Sequence, residues 1–169
     1  MTTAIAEAGG KRNSATESST MNDATFQIRR IDAAEARPLR HAILRPNQPF
    51  EATVYPLDDE PASDHWGAFL GDRLVGVASV FNEARPGYTN PRAWRLRGMA
   101  TREQDRGQGI GGALLHACLD YIRAAGGTTL WLNARTTAAA FYSRFGFVVR
   151  GNVFDIEGIG PHVVMELTL

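Results

Sequence analysis

The chain has 169 residues and carries 18 Lys and Arg against 18 Asp and Glu, a net charge of zero that gives no bulk attraction to nucleic acid or an anionic membrane surface. That length suits one compact core that is stable without staples, and the single cysteine excludes an internal disulfide. No run approaches the roughly 18 apolar residues of a membrane span.

Residues 1–24 are rich in Ala, Ser, Thr and Gly and lack apolar periodicity, so they read as a disordered tail ahead of a single domain over 25–169. Lys11-Arg12 follow the weakly apolar Ala4-Ile5-Ala6 rather than precede it. No secretory signal is read there, a cytoplasmic protein is expected, and Met21 is an alternative start. The alternation in Phe26–Ile31 predicts a first strand. Asp32, with Glu35 three residues on, has the capping-box pattern for a helix to about Leu44, which Pro46 ends. From Pro46 to Asp64, four prolines and the acidic cluster Asp58, Asp59, Glu60 and Asp64 predict a long irregular loop. His65–Leu70 and Arg73–Phe81 flank Gly71-Asp72 as a β-hairpin. Residues 85–92, with Pro86, Gly87, Asn90 and Pro91, connect it to a strand over Ala93–Met99 in which Trp94 and Leu96 alternate with Arg95 and Arg97.

That strand delivers the chain to Arg106-Gly-Gln-Gly-Ile-Gly-Gly112. Gly107, Gly109 and Gly111 lack a Cβ, which lets successive N–H groups converge on one anion. Ile110, Leu114, Ala117 and Tyr121, widened by Ala113, Cys118 and Ile122, predict an amphipathic helix starting in the turn. Its unpaired first-turn N–H groups and positive dipole end favour phosphate, and Arg102 and Arg106 add ionic contacts. Cys118, on the apolar stripe, reads as a core residue rather than a nucleophile. Gly107-x-Gly109-x-x-Gly112 also satisfies the dinucleotide pattern, but the position about 20 residues on holds Trp131-Leu-Asn133 instead of an acid. No Gly-Lys-Ser/Thr is present for a nucleotide-triphosphate loop.

Gly126-Gly127 stops the helix, and Thr129–Asn133 is a short, mostly apolar strand. The strand-helix-strand crossover over Ala93–Asn133 makes those two strands parallel. Thr136 or Thr137 caps a short helix to Arg144, ended by Gly146. Phe147–Arg150 and His162–Leu169 are the last strands, joined by a loop containing Gly158-Ile-Gly160-Pro161.

Arg106-Gly-Gln-Gly109-Ile-Gly111 resembles the acyl-coenzyme A pyrophosphate loop of the GCN5-related N-acetyltransferase (GNAT) family. Leu130-Trp-Leu-Asn133 and Ala140-Phe-Tyr142-Ser-Arg-Phe-Gly-Phe147 are similar to that family's Asn, Phe-Tyr and Gly-Phe pattern, in the same order. The resemblance covers Phe26 to Leu169 and is detailed from Arg97 onward. It implies an α/β (α+β) GNAT fold: a mixed, strongly twisted sheet of about six to seven strands, helices on both faces, and a central parallel pair splayed at the cofactor site. It further implies transfer of an acetyl group from acetyl-coenzyme A to a primary amine in a ternary complex, with no metal.

In that resemblance the cofactor contacts are the backbone of Met99, Ala100 and Thr101, the loop residues Arg106, Gly107, Gln108, Gly109, Ile110, Gly111 and Gly112, and Asn133 and Phe141. Tyr142 matches the family's proton donor to the departing thiolate, a role suited to a phenol near pKa 10 that is protonated at neutral pH. For the general base the candidates are His162, His65, Glu83 and Glu157, or water. His162 ranks first, because a final strand antiparallel to Thr129–Asn133 would place it at that strand's C-terminal end. The loop at Pro46–Asp64 would flank the acceptor, its acids forming either a rim for a cationic amine or a solvated surface. The acceptor is expected to be a small-molecule or peptide amine. Neither nucleic acid nor membrane is expected as a partner, and a homodimer is left open. The alternative is a non-catalytic acyl-coenzyme A sensor, against which Tyr142 argues, since binding alone needs no proton donor.

Overall fold

Asp32 and Glu35 form a complete capping box: Asp32 Oδ1 accepts from Glu35 N–H at 2.8 Å, and Glu35 Oε2 accepts from Asp32 N–H at 3.0 Å. The computed structural model describes residues 25–169, so the expected tail over 1–24 lies outside the described residues. The elements are β1 (Gln27–Ile31), α1 (Ala33–Leu44), β2 (Ser63–Leu70), β3 (Arg73–Phe81), β4 (Ala93–Thr101), α2 (Ile110–Ala124), β5 (Thr129–Arg135), α3 (Ala139–Ser143), β6 (Val148–Ile156) and β7 (Gly160–Thr168). They build one seven-stranded sheet in the order β1-β2-β3-β4-β5-β7-β6. β4 and β5 run parallel, and every other neighbouring pair is antiparallel.

Helices cover both faces. Leu114, Cys118 and Ile122 of α2 pack with Ala78, Val80, Trp94, Leu96, Leu130 and Leu132. On the other face Ala36 and Leu39 of α1 meet Val77 and Ala100. Neighbouring residues of β3 and β4 thus serve opposite layers, as pleating requires. The buried stripe of α2 is Ile110, Leu114, Leu115, Cys118, Leu119 and Ile122. It is rotated from the expected one: Ala117 and Tyr121 are only half-buried, because the sheet meets the side carrying Leu115 and Leu119. After Ala124, Gly127 N–H bonds Ile122 O at 2.8 Å and Gly126 N–H bonds Arg123 O at 3.0 Å, the paired bonds of a Schellman stop.

Two local expectations need correction. Thr136 and Thr137 do not cap α3; they lie in a 3-10 turn over Thr136–Ala138, and α3 begins without a side-chain cap. β6 and β7 also extend further than read, to Ile156 and from Gly160, because they pair with each other past the polar residues that looked like loop.

Candidate active site

β4 and β5 pair only from Ala93 with Thr129 to Arg95 with Trp131, although both strands continue, β4 to Thr101 and β5 to Arg135. Beyond that point β4 keeps only β3, and β5 keeps only β7. The parallel pair therefore parts, and a cavity of about 930 Å³ occupies the gap. A bulge accompanies the parting: the β3–β4 register shifts between Val77 and Ser79, opposite Gly98 at φ 65°. A Cβ on Gly98 would sit 2.9 Å from Arg40 Nε and 3.0 Å from Tyr55 Cε2, so glycine is required there twice over.

Met99, Ala100, Thr101, Arg106, Gly107, Gly109, Ile110, Gly111, Gly112, Asn133, Phe141, Tyr142 and His162 all line this one cavity. Gln108 is exposed and is not among the lining residues. The glycine turn is braced from β3, since Arg73 makes a two-pronged bond to the buried Asp105 at 2.9 and 3.1 Å and Arg102 Nε bonds Leu74 O at 2.9 Å. Gly109, at φ 81°, is the N-cap of α2, makes no side-chain cap bond and has open space where a Cβ would stand. The N–H groups of Ile110, Gly111 and Gly112 thus lack helical acceptors beside an open hollow, which fits an anion such as the diphosphate of a coenzyme. Gly111 and Gly112 have a different reason to be small: added Cβ atoms would crowd Phe141 at 3.3 Å and Phe145 at 3.1 Å.

Gly109→Ala is accordingly expected to weaken coenzyme A binding about tenfold or more, read by calorimetry. Gly71→Ala is the control. Gly71 has φ 59° and an equally open Cβ position in the β2–β3 turn, so it carries similar strain, about 1–2 kcal/mol, with binding unchanged. Equal binding by both variants would remove the glycine turn from the site.

Tyr142 is 8% exposed, and its hydroxyl donates only to Met99 Sδ, at 3.6 Å. Sulfur is a weak acceptor, so that proton is readily redirected. Burial pushes the phenol's pKa up. His162 is 5% exposed and pairs with Arg135 across β5–β7, at the C-terminal end of β5. Its Nδ1 lies 2.7 Å from Gly160 O, which can only accept, so Nδ1 carries a hydrogen and the tautomer able to act as a base has its lone pair on Nε2. The other base candidates sit elsewhere. His65 is enclosed between Ser79 Oγ at 2.7 Å and Asp58 O at 2.8 Å, Glu83 pairs with Arg95 at 3.4 Å, and Glu157 is exposed; none lines the cavity.

The acidic loop is where the structure departs most from expectation. Asp58 is buried, accepting from Arg40 Nη1 at 2.9 and 2.8 Å and from Tyr55 N–H at 3.0 Å. Asp64 is also buried, and accepts from Arg30 Nε at 2.8 Å. Of the cluster Asp58, Asp59, Glu60 and Asp64, only Asp59 and Glu60 remain exposed, and among the described residues no acidic rim faces the cavity. Cations stand there instead: Arg45, Arg95, Arg97 and Arg135 line the α1 side, with Tyr55. The alternation of Arg95 and Arg97 with Trp94 and Leu96 was the one sequence sign of them.

The profile of the acetyltransferase (GNAT) domain family matches residues 35–169. YitI, an uncharacterized N-acetyltransferase of Bacillus subtilis (strain 168), is 36% identical over 144 residues, spanning 85% of this chain and 97% of that protein. Among solved structures, an acyl-CoA N-acyltransferase from Pseudomonas aeruginosa aligns with a TM-score of 0.67 at 22% identity, over 84% of this chain and 99% of that one. An aminoglycoside 6'-N-acetyltransferase complexed with coenzyme A aligns with a TM-score of 0.67 at 17% identity, over 84% of this chain and 96% of that one. At those identities the two structures speak for the fold alone.

Proposed function

The chain belongs to the GNAT acetyltransferase family, and from that membership we propose that it moves an acetyl group from acetyl-coenzyme A to a primary amine of a small molecule or peptide, by direct attack in a ternary complex. The acyltransferase domain spans residues 25–169. One observation carries the reading: the gap between β4 and β5 opens beside the uncapped start of α2, and the buried hydroxyl of Tyr142 lines the same cavity.

Acetyl-coenzyme A supplies a diphosphate, an amide-bearing arm and an acetyl thioester. The amides of the turn from Gly107 to Gly112 bind the diphosphate, assisted by Arg106. Met99 to Thr101 present a β4 edge from which β5 has withdrawn, so their backbone groups hold the arm like an added strand and polarise the thioester carbonyl. Asn133, on the facing strand, bonds the arm through its amide, and Phe141 packs against the turn. Tyr142 gives its hydroxyl proton to the departing sulfur; the free thiol's pKa of about 8.5 lies below that of a phenol, so the transfer relies on the same burial raising the nascent thiolate's proton affinity. His162 Nε2 takes the proton that the amine must lose, directly or through water.

The test is steady-state thiol release from acetyl-coenzyme A across a library of amines, with longer acyl-coenzyme A esters in parallel. Turnover with acetyl as the preferred acyl group, and intersecting double-reciprocal plots, are expected for direct attack. Parallel plots would instead indicate a covalent acyl-enzyme, and binding without thiol release from any amine would leave only a sensor.

A further inference from the structure

The cavity's charge is one-sided. Trp94 and Leu96 of β4 belong to the α2-side core, so Arg95 and Arg97 between and after them face the opposite layer, toward α1 and the loop that follows it. Arg97 lies 4.0 Å over the Tyr55 ring and has no carboxylate partner among the described residues. Arg45, the C-cap that follows α1, brings in Nη1, which is buried and has no hydrogen-bond partner. Arg135 Nη2 is held by Leu44 O at 2.9 Å, next to Arg45. Burial lowers the pKa of both Arg45 and Arg97 and neighbouring arginines add to it, outweighing Tyr55, which acts against it on both, and Glu83, which does so on Arg97. Among the described residues the sole carboxylate lining the cavity, Asp105, is occupied by Arg73 at the glycine-turn end.

Half-buried cations without a paired carboxylate are costly, and guanidinium groups match a carboxylate with two parallel bonds. A diphosphate held at the start of α2 lies on the other layer and leaves these arginines unmatched. Beside them the wall is apolar, with Ile43, Leu44, Ile156 and Ile159. Resting on the acyl-transfer reading of this cavity, we propose that the acceptor is a free amino acid with an apolar side chain. Its carboxylate is held by Arg45 and Arg97, and its amine turns toward the gap between β4 and β5. A cationic amine, suggested by the acidic loop residues, would meet repulsion here.

The experiment uses the full chain and four acceptors: leucine, leucinamide, 3-methylbutylamine and the aminophosphonate analogue of leucine. Thiol release from acetyl-coenzyme A is followed, while calorimetry compares N-acetylleucine with N-acetylleucinamide binding to the coenzyme A complex. Leucine is expected to exceed leucinamide about a hundredfold in kcat/KM, although the amide's amine is the more readily deprotonated. N-acetylleucine should bind at least about tenfold tighter than its amide. Arg97→Gln should bring both ratios toward one, and Arg97→Lys should keep part of each. Equal or better use of leucinamide or 3-methylbutylamine overturns the proposal and leaves acyl transfer standing. Preference for the aminophosphonate overturns the carboxylate in favour of a phosphate-like group. If no amine releases thiol, the acyl-transfer reading fails, and the calorimetric ratio alone decides whether the arginines bind a carboxylate.

Discussion

Tyr142→Phe is expected to lower turnover on the order of 10²-fold or more while coenzyme A binds within about twofold of its original affinity. The ring packs edge-on against Phe141 at 5.1 Å and Phe147 at 5.7 Å, contacts that phenylalanine retains. Only the hydroxyl is lost, and with it a weak bond to Met99 Sδ, so stability should change by less than about 1 kcal/mol. A fall in turnover would then report the missing proton rather than a disturbed wall. Because burial raises the phenol's pKa, the donor stays protonated from neutral pH past the ordinary value of about 10. Any alkaline loss of kcat below that pH therefore belongs to another group. The fold favours the neutral phenol, so this contribution to stability is complete below about pH 10 and is lost as pH rises through the folded-state value. Unchanged kcat in Tyr142→Phe would remove the hydroxyl from the chemistry.

Asp58→Ala is expected to destabilise the fold by about 3–5 kcal/mol, since it leaves the fully buried Arg40 without its counter-charge. Arg40 anchors more than one element. It bonds Thr53 O at 3.0 Å and Ser79 Oγ at 2.7 Å, and its guanidinium lies 4.2 Å from the Tyr55 ring centre. Tyr55 in turn carries Arg97 on its ring. Loss of Asp58 should thus show as a lower urea midpoint and, in the protein that remains folded, as a larger rise in acceptor KM than in coenzyme A Kd. Burial raises the Asp58 carboxyl pKa, but the Arg40 bond, the Tyr55 amide and the nearby positive charges outweigh it and hold the group below the ordinary carboxylate value. Its contribution is therefore present above about pH 4 and is lost as pH falls through the folded-state value. A change in stability below about 1 kcal/mol, or acid unfolding identical in the variant, would show that the pair is not structural.

Much of the architecture can be read from short stretches because the forces involved are short-ranged. The Asp32–Glu35 box, the Gly71-Asp72 turn, the stop at Gly126-Gly127 and the alternation through Trp94 and Leu96 each involve partners a few residues apart. The parallel pairing of β4 and β5 follows from chain connectivity alone. The glycine turn stands out by its composition, Tyr142 by the resemblance of Phe141-Tyr142 to the family's pattern, and His162 by the antiparallel register expected of the last strand. They lie far apart in the chain and converge on one cavity.

The direction in which a charged loop residue points has no such local signature. Asp58, Asp64 and His65 looked available to a ligand or a proton, yet each is buried against a partner contributed by a distant segment: Arg40, Arg30 and Ser79. Arg45 sat unremarked before Pro46, yet it joins Arg97 and Arg135 beside the gap. Composition and local pattern thus settle where the backbone bends, pairs and offers free amides, because those are properties of neighbouring peptides. Which charges are neutralised inside, and which are left for a ligand, depends on ion pairs closed over tens of residues, and these exist only once α1, its following loop and the sheet have packed together.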